Sequence, residues 1–173
     1  INENKDLLSK ASIFYPSEHF NNGAHHPFAF LLKNKKATII KESLIKWKNQ
    51  CEEKNLETIL ISSEDFEYLE EEHVKILKNS CEEINLDLEV LLYIRPQSDL
   101  IESQYSQQFR EGFISDKFDD FYKLCLEFGD FLKLEKILGN YSKVLKEKLS
   151  VSFFYNNDYT KKNIIIDFCN RLK

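Results

Sequence analysis

An arginine and a serine eight residues apart are the pair in this sequence best suited to bind an anion. Arg95 follows an apolar, β-compatible run over residues 88–94 that Pro96 ends, which predicts a buried strand with Arg95 at its carboxyl end. Ser103 falls within the opening turns of the helix that should follow. A guanidinium and a hydroxyl in these places could hold a phosphate from two directions, helped by the positive end of the helix.

The same two residues also have a purely structural interpretation. Arg95 could pair with Asp99 or Glu102, because arginines at strand ends are common partners of carboxylates. Ser103 could simply allow two helices to pack closely. From the residues alone, the anion site and the structural pairing are equally open.

The elements that would place these residues alternate between strand and helix. Residues 58–61 and 88–94 are predicted strands, and the predicted helix over residues 65–79 makes them a parallel pair with a right-handed crossover. Asp99 is expected to cap the next helix, and Gly112 suits the left-handed position after its end. The pattern predicts an α/β domain with a parallel β-sheet flanked by helices, in which ligands collect at the carboxyl ends of the strands.

Further elements are expected on both sides of this unit. Short strands are predicted over residues 12–15 and 150–155, and helices over residues 3–10, 27–33, 42–54, 117–128, 134–148 and 160–172. The helix over residues 117–128 is expected to bury its apolar residues, namely Phe118, Phe121, Tyr122, Leu124, Cys125 and Phe128. No linker or low-complexity tract interrupts the chain, so residues 1–173 are expected to form one domain.

Two segments of the chain echo each other. Residues 48–56 and 78–86 share the frame Lys-Asn-x-Cys-Glu-Glu-x-Asn-Leu, and each is followed by an apolar run. In each copy a helix is expected to end near the Asn-Leu pair and to lead into a strand. The offset is close to the length of one βαβ unit, which supports the parallel arrangement.

Composition excludes several classes of partner. The formal net charge of −5 argues against a nucleic-acid-binding surface, whose first signature is a basic excess, and it disfavours a polyanionic acceptor. No apolar run is long enough to cross a bilayer and no signal-peptide pattern is present, so we expect no membrane span and a cytoplasmic location. The four cysteines lie far apart without a Cys-x-x-Cys pair, which predicts free thiols rather than a zinc site or disulfides.

The frame Tyr-Ile-Arg-Pro-Gln-Ser-Asp-Leu-Ile-Glu-Ser-Gln-Tyr at residues 93–105 contains Arg95, Asp99 and Ser103. It resembles the 3′-phosphate-binding motif of sulfotransferases that use 3′-phosphoadenosine-5′-phosphosulfate (PAPS). The run Ile-Leu-Ile-Ser-Ser-Glu-Asp-Phe at residues 59–66 is similar to the preceding strand in bacterial sulfotransferase-like proteins. The beginning of the chain, from residue 4 through His25 and His26, looks like the start of such proteins just after their phosphate loop.

The resemblance implies a P-loop sulfotransferase-like fold and a specific reaction. PAPS would be the donor, Arg95 and Ser103 would hold its 3′-phosphate, and the sulfuryl group would pass to a hydroxyl of a carbohydrate or glycan. The donor and the acceptor would be small molecules, and no metal is implied.

One part of the family pattern is missing from the sequence. The family carries a Lys-x-Gly-Thr loop that cradles the 5′-phosphosulfate on backbone N–H groups, and none of the four glycines here stands in such a loop. The family arrangement places the loop just upstream of Ile1, so we expect the sequence to begin inside the helix that follows it. Two alternatives are a non-catalytic relative that binds a nucleotide or a glycan, and an ATP-dependent P-loop enzyme of the kinase type.

Sulfuryl transfer also needs a base for the acceptor hydroxyl, and three residues are candidates. Glu64 follows a strand end at about the place where sulfotransferases of the cytosolic type carry their catalytic histidine. It could instead be a carboxylate that favours the first turn of a helix. His25 and His26 are the rivals, because an imidazole suits proton transfer near neutral pH, and one of the two is expected to be structural. His19 and Glu18 lie nearby, but their spacing matches no pattern of metal ligands.

Overall fold

The computed structural model of the protein describes residues 5–115, 117–129, 133–153 and 164–172. These residues form a mixed α/β structure with two separate two-stranded sheets, both parallel. In chain order the elements are α1 (Lys5–Lys10), β1 (Ile13–Phe14), α2 (His26–Lys33), α3 (Ala37–Glu53), β2 (Thr58–Ile59), α4 (Glu71–Glu82), β3 (Val90–Ile94), α5 (Gln97–Arg110), α6 (Phe118–Phe128), α7 (Leu134–Leu145), β4 (Leu149–Phe153) and α8 (Ile164–Arg171). Two 3-10 turns lie at Glu64–Tyr68 and Lys146–Lys148. None of the helices in the described ranges is long and apolar enough to cross a membrane.

The chain divides into two compact units. The first comprises Ile1–Glu89 with Glu135–Lys148, and the second comprises Val90–Leu134 with Leu149–Lys173. The α/β class is confirmed and the strands pair in parallel, but the predicted pairing of residues 58–61 with residues 88–94 is wrong. The predicted single sheet is corrected, because β2 pairs with β1 and β3 pairs with β4. The sulfotransferase-like arrangement of the strands stays a prediction, as does the single domain.

In the first unit, helices pack around a sheet of two short strands. Ile13 lies opposite Thr58 and Phe14 opposite Ile59 in the parallel pair β1–β2. Helix α3 contacts both α2 and α4, and its buried apolar residues recur every three or four positions on one helical face. They are Ile40, Leu44, Trp47 and Cys51. Each such fully buried side chain contributes roughly 1.5–3 kcal/mol, so this face anchors the unit.

The helix predicted over residues 65–79 is interrupted. A 3-10 turn ends at Tyr68, the chain extends at the buried Leu69, and α4 then begins after Glu70. The backbone N–H of Glu70 donates to Nδ1 of His73 (3.0 Å), and the Glu70 side chain accepts from the backbone N–H of His73. This reciprocal cap starts a new helix and thereby corrects the predicted one.

The echoing segments end their helices in the same way. Asn55 and Asn85 both have positive φ angles, of 52° and 57°. The N–H of the following leucine reaches back to a cysteine carbonyl, Leu56 to Cys51 and Leu86 to Cys81, at 2.9 Å in both copies. Each is a Schellman motif with asparagine in the left-handed position.

In the second unit, strands β3 and β4 pair in parallel from Val90 opposite Leu149 to Ile94 opposite Phe153. Strand β3 is half-buried apart from its last residue, which corrects the prediction of a buried strand. Helix α5 begins at Gln97, directly after Pro96, so Asp99 lies in its first turn and is not its cap. Gly112 has a φ angle of +75° after the helix, as the sequence predicts.

The core of the second unit is small. Ile101, Phe121 and Cys125 form its buried cluster, and the partly buried residues Tyr105, Ile114 and Phe118 pack against it. The set of α6 residues predicted to be buried is therefore too large. The apolar residues of α6 cover more of the helix surface than α5 contacts, and three of the residues predicted to be buried are exposed: Tyr122, Leu124 and Phe128.

Candidate functional site

The carboxyl ends of β1 and β2 carry a cluster of polar side chains. Parallel strands end at the same edge of a sheet, so the loop after β1, here called the histidine loop (residues 15–25), meets the residues that follow β2. The His25 backbone N–H donates to the Ser62 carbonyl (2.7 Å), and the Tyr15 and Ser62 hydroxyls share a hydrogen bond (2.8 Å). The histidine loop is therefore tied to the end of β2.

His25 is the fully buried residue of this cluster. Its side chain is fully buried and lies edge-on against Tyr15, with ring centroids 4.7 Å apart, and against Trp47 at 6.0 Å. The backbone N–H of Ser62 donates to Nδ1 (3.2 Å), so Nε2 carries the proton and donates it to the Pro16 carbonyl (3.2 Å). Burial lowers the pKa of the His25 imidazole, which keeps the ring neutral. Both nitrogens of His25 are thus occupied by the backbone.

His26, the first residue of α2, has a different environment. Its Nδ1 lies 2.7 Å from Oδ2 of Asp65 and 2.9 Å from Oγ of Ser63. A carboxylate oxygen only accepts, so Nδ1 carries a proton, and in the neutral ring Nε2 therefore holds the lone pair. Nε2 makes no hydrogen bond to another described residue, and 26% of the side chain is exposed. Of the two histidines, His26 is the one whose ring can accept a proton from a ligand.

Asp65 is held in place from both sides of its turn. Oγ of Ser63 accepts from the Asp65 backbone N–H (3.1 Å) and caps the 3-10 turn. On the other side, the Tyr141 hydroxyl donates to the Phe66 carbonyl (2.6 Å). The sequence predicts Glu64, and not Asp65, as the functional carboxylate of this turn. A serine cap followed by two acids is a local signal for the turn, but it does not show which acid faces the histidine.

The neighbouring acids of the turn behave differently. Glu64 is exposed, and its carboxylate makes no hydrogen bond or ion pair with another described residue. Burial raises the pKa of Glu67, and the nearby carboxylates of Glu64 and Asp65 raise it further. Burial and the hydrogen bond with Glu67 raise the pKa of Tyr68 to about 12. The turn is therefore a carboxylate-rich surface beside His26.

The predicted anion-binding residues lie in the second unit. Arg95 directly follows β3 and is half-buried, and Ser103 lies in α5 and is exposed. The strand and the helix that flank Arg95 are thus where the sequence predicts them. The three candidate bases, Glu64, His25 and His26, all belong to the first unit.

The second unit contains a polar cluster that the sequence does not predict. Oδ2 of Asp167, in α8, accepts hydrogen bonds from the Tyr93 hydroxyl (2.8 Å), Nε of Arg171 (2.9 Å) and the Ser152 hydroxyl (3.3 Å). These donors, Tyr93 foremost, lower the pKa of Asp167. Burial and Asp167 raise the pKa of Tyr93 to about 12. The i,i+4 spacing of Asp167 and Arg171 is the one local signal for this cluster, which fastens α8 to the β3–β4 sheet.

Comparisons with known proteins identify no relative of the chain. No family model matches the chain, and no curated protein or solved structure matches it significantly. The resemblance to PAPS-dependent sulfotransferases therefore rests on the motif residues alone. In the part of the chain that the structure describes, no three His, Cys, Asp or Glu side chains are grouped so as to hold a metal ion. The expectation of a metal-free reaction stays a prediction.

Proposed function

We propose that the protein transfers a sulfuryl group from PAPS to a hydroxyl of a carbohydrate or glycan. The observation that carries the proposal is the junction at residues 93–105, where β3 ends one residue before Arg95 and α5 presents Ser103. Arg95 would bind the 3′-phosphate with two parallel N–H···O bonds, and Ser103 would donate one more. Ser103 is exposed and Arg95 half-buried, which supports a role for both in binding a ligand from solution.

The base of the proposed reaction is His26. The acceptor hydroxyl oxygen would attack sulfur, the bond between sulfur and the 5′-phosphate oxygen would break, and the hydroxyl proton would pass to Nε2. Three features support His26 over the other candidates: an available lone pair, partial exposure and a fixed ring. His25 is neutral and buried with both nitrogens engaged, and Glu64 has no partner among the described residues that would orient it.

A second candidate function is binding without catalysis. None of the four glycines stands in a Lys-x-Gly-Thr loop, the part of the family pattern that would cradle the reacting phosphosulfate. A binding protein would retain affinity for the nucleotide and show no transfer of radiolabelled sulfate from PAPS to any sugar. An ATP-dependent enzyme would instead bind ATP in preference to PAPS and would require Mg²⁺.

The donor assignment predicts a preference among nucleotides. The protein should bind 3′,5′-adenosine bisphosphate more tightly than 5′-AMP in titration calorimetry, because only the former carries the 3′-phosphate. Arg95→Ala should remove most of that preference, since a charge-assisted bidentate contact contributes about 1.5–3 kcal/mol, roughly 10–150-fold in affinity. Arg110→Ala, at the far end of α5, is the matched control and should leave the preference intact. Equal affinities of the wild-type protein for the two nucleotides would refute the assignment.

The base assignment predicts different effects for two neighbouring candidates. His26→Gln should lower turnover by roughly 10²–10⁴-fold, because it removes the proton acceptor, and it should leave donor affinity unchanged. Glu64→Gln should retain turnover within a few-fold. Sulfuryl transfer and donor binding would be measured on the same preparations. If Glu64→Gln loses turnover and His26→Gln keeps it, Glu64 is the base.

A further inference from the structure

The two adjacent histidines of the cluster are fixed in opposite tautomers. The backbone N–H of Ser62 donates to Nδ1 of His25, which leaves the proton of that ring on Nε2. The carboxylate of Asp65 accepts from Nδ1 of His26, which places the proton of that ring on Nδ1. The tautomer of a histidine follows from the hydrogen bonds that its nitrogens make. The surroundings of His26 therefore select the form in which Nε2 accepts a proton.

Asp65 is the group that makes this selection. Ser63 also lies within hydrogen-bond distance of Nδ1, but a hydroxyl both donates and accepts and fits either tautomer. A carboxylate accepts only. Its position is fixed as well, because Ser63 holds the Asp65 backbone and Tyr141 holds the next residue of the turn.

We propose that Asp65 is a positioning residue that holds His26 in the Nδ1-protonated tautomer and so presents Nε2 as the proton acceptor. The role in catalysis rests on the proposed function of His26. When Nε2 takes the proton of the acceptor hydroxyl, the imidazolium formed keeps its Nδ1–H bond to Asp65, and the two side chains become an ion pair. Asp65 remains unprotonated throughout, and the negative charge released leaves with the 5′-phosphate.

The tautomers can be read directly by long-range ¹H–¹⁵N NMR of the wild-type chain at a pH where both rings are neutral. His26 should show Nδ1 protonated and His25 should show Nε2 protonated, with the His26 signals assigned through their loss in His26→Gln. Asp65→Asn should shift His26 towards the Nε2-protonated form, because the carboxamide can donate to Nδ1. Glu64→Gln, the matched control, makes the same change from carboxylate to carboxamide at an exposed position of the same turn and should leave the tautomer unchanged. A wild-type His26 protonated on Nε2 would overturn the proposal.

Activity separates this proposal from the proposed function. With the expected tautomers, Asp65→Asn should lower turnover by roughly 10²–10⁴-fold, as loss of the base would, while the donor KM stays constant. If the tautomers are as expected but the wild-type protein transfers no sulfuryl group, the positioning of His26 by Asp65 stands and the proposed function fails. If transfer is observed and Asp65→Asn retains it, the proposed function stands and the catalytic role of Asp65 is refuted.

Discussion

His25 and His26 are neighbours in the chain, yet their side chains meet opposite surroundings. His25 joins the aromatic core beside Tyr15 and Trp47, where its ring links two backbone segments. His26 lies at the partly exposed carboxyl edge of the β1–β2 sheet, where its Nδ1 lies within hydrogen-bond distance of Ser63 and Asp65. Consecutive residues at the start of a helix point about 100° apart, so a histidine pair here divides into a structural and an accessible ring.

The buried His25 predicts acid sensitivity. Its folded-state pKa is lowered by burial, so the unfolded chain binds this proton more readily than the folded protein does. The contribution of His25 to the free energy of unfolding is complete above a pH of about 6.5, the ordinary pKa of histidine. It is lost as the pH falls below that value, and the free energy of unfolding then decreases by at most about 1.4 kcal/mol per pH unit. The free energy of unfolding, from urea titrations between pH 7.5 and 5, should therefore decline more steeply for the wild-type protein than for His25→Gln.

The control for this experiment is His19→Gln. His19 is half-buried and donates from Nε2 to the Ser43 hydroxyl (2.8 Å), so its replacement alters the same loop without removing the buried imidazole. This variant should keep the steep decline. An identical pH dependence for the wild-type protein and His25→Gln would show that His25 does not set the acid sensitivity.

At the scale of elements, the echo of residues 48–56 in residues 78–86 has a structural meaning. Each copy ends a helix with asparagine at positive φ and with a leucine N–H that returns to the cysteine carbonyl. Asparagine enters the left-handed region more readily than residues with other side chains. The repeated sequence therefore forms the same helix C-cap in both copies.

This helix end predicts the effect of substitutions at Asn55. Asn55→Ala should lower the free energy of unfolding by about 1 kcal/mol, because alanine is strained at positive φ, whereas Asn55→Gly should be neutral or slightly stabilising. Asn49→Ala, at an exposed position inside α3, is the control and should be neutral or slightly stabilising, since alanine favours helices. Thermal or urea unfolding checks all three. Equal destabilisation by the substitutions at Asn55 and Asn49 would argue against the cap.

The elements show where sequence reasoning succeeds and where it stops. Signals that lie within a few residues of a boundary, such as Pro96 and Gly112, predict the ends of β3 and α5 closely. The pairing of β3 with β4 joins residues 59 apart in the chain, and no local pattern specifies it. The contact between His26 and Asp65 spans 39 residues and depends on how the histidine loop docks at the end of β2. Sequence reasoning consequently identifies His26 as a candidate but overlooks its partner.

At the scale of the whole molecule, apolar burial is unevenly distributed. Of the buried hydrophobic residues in the described ranges, only four belong to the second unit: Ile94, Ile101, Phe121 and Cys125. The same unit exposes large aromatic side chains, among them Phe113 at 76% and Phe128 at 67%. Local stability follows the apolar contacts that a segment buries. The first unit, which carries the histidine cluster, should therefore be the more rigid one.

Amide hydrogen exchange measures this difference. Peptides from α3 and α4 should exchange at least about tenfold more slowly than peptides from α5 and α6, a difference in local free energy of about 1.4 kcal/mol. Ile40→Val and Ile101→Val form a matched pair, because both isoleucines are fully buried and each change removes one methylene for about 0.5–1.5 kcal/mol. Ile101→Val should speed exchange in α5 and α6 while α3 keeps its protection, and Ile40→Val should speed exchange in α3. If either substitution speeds exchange equally in all four helices, the chain opens as one cooperative body. The difference in apolar burial would then not give the two units different local stabilities.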